Sequence, residues 1–158
     1  MTRIIATIQG EKIRHFLPSG LVTFIGDVDI DCDGSGGNPD HDPYFQPDTS
    51  YHFQGKALNA YTTNFIVVPP QVVSGVVPVV LGCRAKVRDL RTNKRADALV
   101  GDVGPRAKVG EISVALAREL GIPSSPVSGG EEEFCFSYEL FPGQPAYVHG
   151  VNYPLQAS

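Results

Sequence analysis

Residues 98–122 read ALVGDVGPRAKVGEISVALARELGI, and the rest of the chain is best read outward from them. Ala98-Leu99-Val100 has the composition of a strand end, and Gly101 and Gly104-Pro105 break the chain on either side of Asp102. Ser113 is a good N-cap, residues 115–120 are strong helix formers, and Gly121 with Pro123 behind it is a stop signal. The spacing of Val114, Ala117 and Leu120 puts one face of this helix on a core. Asp102 is therefore expected where a strand leaves a sheet, and Glu111 just ahead of the helix N-terminus.

The two carboxylates are nine positions apart, across a turn, so they can face one cleft without being a local helical pair. Two carboxylates flanking a glycosidic bond are the equipment of glycoside hydrolysis. A structural role is equally compatible with residue type: an Asp in a turn bonds nearby amides, and a Glu before a helix complements its dipole.

The bulk properties bound the rest. The chain has 158 residues, 42% of them hydrophobic, which suits a single domain, 1–158, with a core of its own. Its 13 prolines and 17 glycines, against one clear helix, point to a β-rich, loop-rich architecture. A formal net charge of −4, with no sustained basic stripe, argues against nucleic acid as partner and suits a cationic polymer. The three cysteines, Cys32, Cys83 and Cys135, lack zinc-site spacing; one disulfide is conceivable, with Cys32–Cys83 the favoured pair. No run reaches the length of a membrane span, and the N-terminus lacks the apolar core of a signal peptide.

Thr2 to Ile8 and Lys12 to Phe16 read as a hairpin, and Leu21 to Ile25 as a strand leading into DVDIDCDG at 27–34. Asp29, Asp31, Asp33 and Gly34 match the opening of a calcium loop, with Asp40 at its twelfth position. The match fails at Gly36, at the missing bidentate Glu and in the β-like flanks, so no metal or other cofactor is expected. In a strand, Asp27, Asp29, Asp31 and Asp33 share one face and repel each other unless a cation sits among them. Protonated amino sugars would supply that cation; a solvated acidic edge is the alternative.

Residues 35–61 form a long loop rich in Gly, Asn, Pro and Asp, carrying Tyr44, Phe45, Tyr51, Phe53 and Tyr61. Aromatic rings stack on the apolar faces of sugars, although each ring could instead pin the loop to the core. Residues 64–68 and 72–80 read as apolar strands, and residues 84–90 and 96–100 as a hairpin turning at Thr92-Asn93-Lys94. Its basic residues, Arg84, Lys86, Arg88, Arg91, Lys94 and Arg95, read as a solvated edge. Beyond the helix, Glu131-Glu132-Glu133 is a charged run that could extend an acidic cleft. Residues 134–140 alternate as a strand, and 145–149 read as a last one.

Asp102-Val103-Gly104-Pro105, Glu111-Ile112-Ser113 and the helix ending at Gly121 together resemble the signature of double-psi β-barrel glycan enzymes such as expansins and lytic transglycosylases. A closer resemblance is to the fungal-type chitosanases, glycoside hydrolase family 75. It rests on the acidic block 27–34, on Ala57-Leu58-Asn59-Ala60 running into residues 65–69, and on Gly101-Asp102 through Ser113. The resemblance implies a mainly β fold, a six-stranded double-psi β-barrel with one principal helix and long loops. It also implies endo-acting hydrolysis of β-1,4 linkages in chitosan with inversion, by a secreted or extracellular monomer. A peptidoglycan-cleaving enzyme on the same barrel and a non-catalytic carbohydrate-binding barrel are the alternatives.

Hydrolysis needs one protonated and one ionised carboxyl group. Glu111, between Val109 and Ile112 and beside Gly110, is in surroundings that disfavour its ionised form, although Lys108 and the helix N-terminus oppose this. Asp102, with exposed amides around it and Arg106 nearby, is expected to stay ionised. Glu111 is thus the expected general acid and Asp102 the expected general base. Asp27, Asp29, Asp31, Asp33, Tyr44 and Tyr61 are the expected substrate-binding residues.

Overall fold

A computed structural model describes residues 1–156. The strands are β1 (Thr2–Ile8), β2 (Glu11–Phe16), β3 (Val22–Asp31), β4 (His52–Phe53), β5 (Lys56–Ala57), β6 (Phe65–Val68), β7 (Cys83–Asp89), β8 (Arg95–Val103), β9 (Glu111–Ser113), β10 (Glu131–Val148) and β11 (Val151–Tyr153). The one α-helix among the described residues is α1 (Val114–Leu120).

Six strands close a barrel in the order β3-β9-β6-β8-β7-β10, with β10 pairing back onto β3. Two of these pairings are parallel, β3 with β9 and β6 with β8; the others are antiparallel. Each parallel pair needs a long crossover, and this is the double-psi connectivity. The β1–β2 hairpin extends the sheet at Arg14↔Thr23 and His15↔Val22.

Alternation along the strands divides the side chains between two apolar clusters. Val28 of β3, Ile66 of β6, Val87 of β7, Val100 of β8, Ile112 of β9 and Leu140 of β10 point into the barrel, where Phe24 stacks on Tyr138 at 4.9 Å between ring centroids. On the outer face Phe65, Val67 and Leu99 form a second cluster with Tyr51 and Leu58, which belong to the long loop, and with Tyr153. The loop thus lies over the barrel wall as a packed cover, tied down by Tyr51 N–H to Gly101 O at 3.0 Å and by Tyr51 Oη to Pro154 O at 2.8 Å.

The helix begins and ends as its local signals require. Ser113 Oγ accepts from Leu116 N at 3.3 Å, and Gly121 adopts φ 74° beyond the last turn. Val114, Leu116, Ala117 and Leu120 are buried. The hairpin across Thr92-Asn93-Lys94 is present as β7–β8.

Three expectations change. Residues 72–80 do not form a strand: Pro70–Val73 is a 3-10 turn followed by irregular chain, because Pro69, Pro70 and Pro78 lack N–H donors and Gly75 turns the backbone at φ 97°. Val72, Val77 and Val79 still bury their side chains against the barrel core. The expected last strand at 145–149 is the end of the 18-residue β10, whose register shifts between Phe141 and Pro145. β11 then returns through His149-Gly150, both at positive φ, a two-residue hairpin turn. The cysteines are free, Cys32 and Cys83 included.

Candidate active site

Strand register sets the geometry of the two carboxylates. Val67 of β6 is paired with Asp102 of β8 on one side and with Glu111 of β9 on the other. Directly opposed residues share a sheet face, so both carboxylates rise from the outer wall on either side of Val67. Two strand spacings put their Cα atoms roughly 9–10 Å apart.

Asp102 faces outward because of a bulge. Phe65↔Leu99 and Ile66↔Val100 pair in simple alternation, and the next pair is Val67↔Asp102, with Gly101 skipped. Without that extra residue Asp102 would turn into the barrel; the bulge re-aims it. A Cβ at Gly101 would lie 2.7 Å from both Leu58 Cδ1 and Phe65 Cβ, so only glycine fits. The turn glycines seen in the sequence therefore have distinct tasks, and Gly101 is the one that exposes the carboxylate.

Asp102 Oδ1 accepts three hydrogen bonds, from Ser50 N at 2.9 Å, Ser50 Oγ at 2.7 Å and Val103 N at 2.9 Å. Ser50, in the loop cover, was not a candidate in the sequence; its 52-residue separation from Asp102 leaves no local signal. No hydrogen bond or ion pair joins Arg106 to Asp102 among the described residues; its carbonyl instead accepts from Gln71.

Glu111 opens β9, the three-residue strand that runs directly into α1, so it lies just ahead of the helix N-terminus as the sequence suggested. Its carboxyl is pushed up to about 7, chiefly by burial; Lys108 pulls it down, and Asp29, Asp102 and Asp33 push it further up.

The four acidic residues of the 27–34 block separate into three environments. Asp27 is 9% exposed and lies under Gly110, where burial, with Asp29 adding to it, raises its carboxyl to about 6. It lines neither hollow of the cleft and belongs to the wall rather than to a substrate-facing row. Asp29 is half-buried and paired with Lys108. Asp31 and Asp33 turn into the cleft, and each is raised, first by burial; Asp33, Asp102 and Glu111 add to the effect at Asp31. Asp31 Oδ1 accepts from Asp33 N at 2.7 Å, and Asp33 Oδ1 from Gln46 N at 2.8 Å.

Two adjoining hollows make the cleft. One, of about 300 Å³, is lined by Asp31, Asp33, Asp42, Tyr44 and Glu111; the other, of about 290 Å³, by Asp33, Asp48, Ser50 and Asp102. Asp33 is the wall they share. Tyr44, 84% exposed, stands at the rim of the first. Tyr61 is elsewhere: its hydroxyl donates to Asp40 at 2.6 Å, and Arg118 lies over its ring. Tyr51 and Phe53 pack on Tyr153 and pin the loop. Glu131 of the charged run is drawn off by Arg91 at 2.7 Å.

Asp31, Asp33 and Asp102 can each bring a carboxylate oxygen within 4.8 Å of the other two, the one such group found among the described residues. They do not form the calcium loop whose opening the sequence resembles, since Asp29 is engaged by Lys108 and Asp40 by Tyr61. Chemically, the cleft combines a carboxyl group at Glu111 raised to about 7, an Asp102 side chain held by hydrogen bonds, and a surplus of acidic groups between them. The chain matches no protein-family model and no curated protein.

Proposed function

We propose that the chain is an endo-acting glycoside hydrolase that cleaves β-1,4 linkages in chitosan-like polyglucosamine with inversion of the anomeric centre. The observation that carries this reading is the placement of Asp102 and Glu111 on one barrel face on either side of Val67. Their separation across two strands is compatible with the roughly 6.5–9.5 Å between carboxyl groups that leaves room for a water in an inverting enzyme.

Glu111, raised to about 7 by burial, keeps its proton near neutrality and donates it to the leaving glycosidic oxygen. Asp102, whose Oδ1 is held by Ser50 and Val103, uses its other oxygen to take a proton from water as that water attacks the anomeric carbon. The acidic lining at Asp33, Asp42 and Asp48 attracts protonated amino sugars and discriminates against acidic glycans, which favours chitosan over peptidoglycan. Tyr44 offers its exposed ring to a sugar face at the rim.

Asp31 lines the same hollow as Glu111, but burial raises its carboxyl to about 8, so it holds its proton near neutrality and does not serve as the base. Release of reducing ends from chitosan, peptidoglycan and cellulose, measured side by side, tests the substrate. Turnover on chitosan alone is expected, with the α-anomer as first product by proton NMR. Binding of chitosan without any release would leave a non-catalytic barrel. In the same assay Asp102→Asn is expected to lose turnover and Asp31→Asn to keep most of it; the reverse would overturn the assignment of the base.

A further inference from the structure

The basic residues of the β7–β8 hairpin acquire a role in the fold that their sequence pattern lacks. Arg84, Lys86 and Arg88 alternate along β7 with the inward Cys83, Ala85 and Val87, so all three stand on the outer wall. Ser137 of β10 is registered between Arg88 of β7 and Ile25 of β3. One row along, Glu139 stands between Lys86 and Thr23, with Arg14 of β2 beyond Thr23.

These strands enclose a hollow of about 420 Å³, larger than either acidic one, lined by Arg14, Arg88, Ser137 and Glu139 together with the apolar Phe16 and Ile25. Arg88 Nε and Ser137 Oγ are shut off from solvent, and neither has a hydrogen-bond partner among the described residues. A buried donor without an acceptor is destabilising, so these two neighbouring atoms mark a place where an acceptor belongs. Neither Arg14 nor Arg88 lies within ion-pair distance of a carboxylate among the described residues. Two guanidinium groups against one carboxylate leave this hollow positive, in a chain whose formal charge is −4.

From the unpartnered Arg88 and Ser137 donors beside an apolar wall we infer that the hollow binds a small monoanionic ligand, an oxyanion group carried on an apolar body. Once the Arg88 and Ser137 side chains turn into the hollow the oxyanion accepts from both, Arg14 adds a second positive charge, and Phe16 and Ile25 contact the apolar part. Glu139 on the same wall repels a second negative group, which selects against polyanions. The site lies on β2, β3, β10 and β7 and shares no lining residue with the two acidic hollows.

Backbone amide NMR titrations at constant ionic strength test this, with inorganic phosphate, acetate and hexanoate as separate probes. Saturable shifts centred on Ile25, Arg88 and Ser137 are expected, with hexanoate tightest and inorganic phosphate, which lacks an apolar body and carries a second charge that Glu139 repels, weakest; phosphate binding tighter than hexanoate would overturn the proposal. Arg88→Met should weaken binding about tenfold or more and Ser137→Ala several-fold, with chitosan turnover unchanged in both. Arg88→Lys keeps the charge and loses the planar fork, so it should also weaken binding, and it serves if the Met variant fails to fold. Absence of saturable shifts with all three probes overturns the proposal. So does a Lys variant that binds as well as the native chain, since diffuse charge would then explain the effect.

Discussion

Asp102 and Glu111 flank Val67, one in parallel and one in antiparallel pairing, so a single β6 residue sets the distance between the two groups proposed to do the chemistry. A strand ladder is stiffer than a loop, and a reaction that needs a water held between two carboxyl groups gains from that stiffness. Burial raises the Glu111 carboxyl, and Asp102 is hydrogen-bonded to the loop cover through Ser50.

Replacing Glu111 by Gln should lower chitosan turnover by roughly 100-fold or more, the scale of a lost general acid, with polymer binding retained. Asp102→Asn should do the same if it is the base. Melting temperature should change little in either case, because Gln removes no buried charge and Asn keeps an oxygen for the Ser50 and Val103 donors. Near-normal turnover by Glu111→Gln in a reducing-end assay would refute the assignment.

Gly101→Ala tests the bulge. The added Cβ meets Phe65 and Leu58 at 2.7 Å, an overpacking that costs about 1–3 kcal/mol. If relief comes by loss of the bulge, Asp102 rotates toward the barrel. Turnover should then fall more than the drop in melting temperature accounts for, when both are measured on the same sample.

Stability should fall as pH rises through neutrality. Burial raises Asp27 from 3.8 to about 6, Glu111 from 4.5 to about 7 and Asp31 from 3.8 to about 8, so the folded state holds protons that the unfolded state releases. That contribution is complete below the unfolded values and is lost as pH passes through the folded ones. Asp48, Asp89 and Glu131 are lowered instead, so their contributions are lost in the acid region. Melting temperature is expected to be higher near about pH 5 than near about pH 8, with a shallower slope in Glu111→Gln. An unchanged slope in that variant would show that Glu111 is not the source.

Lys108→Met should move the alkaline limb of the pH–rate profile upward. Lys108 opposes the burial of Glu111 by holding its carboxyl down, and removing the cation lets the proton persist to higher pH. Asp29 loses its partner in the same variant and reinforces the shift. A downward move of that limb would contradict the proposed role of Glu111 as the acid.

The sequence by itself determined what neighbours along the chain can decide. The helix from Val114 to Leu120 follows from Ser113 and Gly121, the β7–β8 turn from Thr92-Asn93-Lys94, and the mainly β character from composition and alternation. Asp102 and Glu111 stand out for the same reason, being an acidic pair astride a Gly-Pro turn. Only the tertiary structure decided which carboxylates meet. Asp27 and Asp31 are equivalent by parity along β3, yet one lies under Gly110 and the other in the cleft, because their neighbours come from distant strands. Residues 72–80 have strand-like composition but no partner strand, and the prolines there left a turn instead. The outward aim of Asp102, its bond to Ser50 and the hollow at Arg88 all depend on register between strands far apart in the chain. A one-residue slip reverses every side chain, and no short window of sequence encodes the pairing that prevents it.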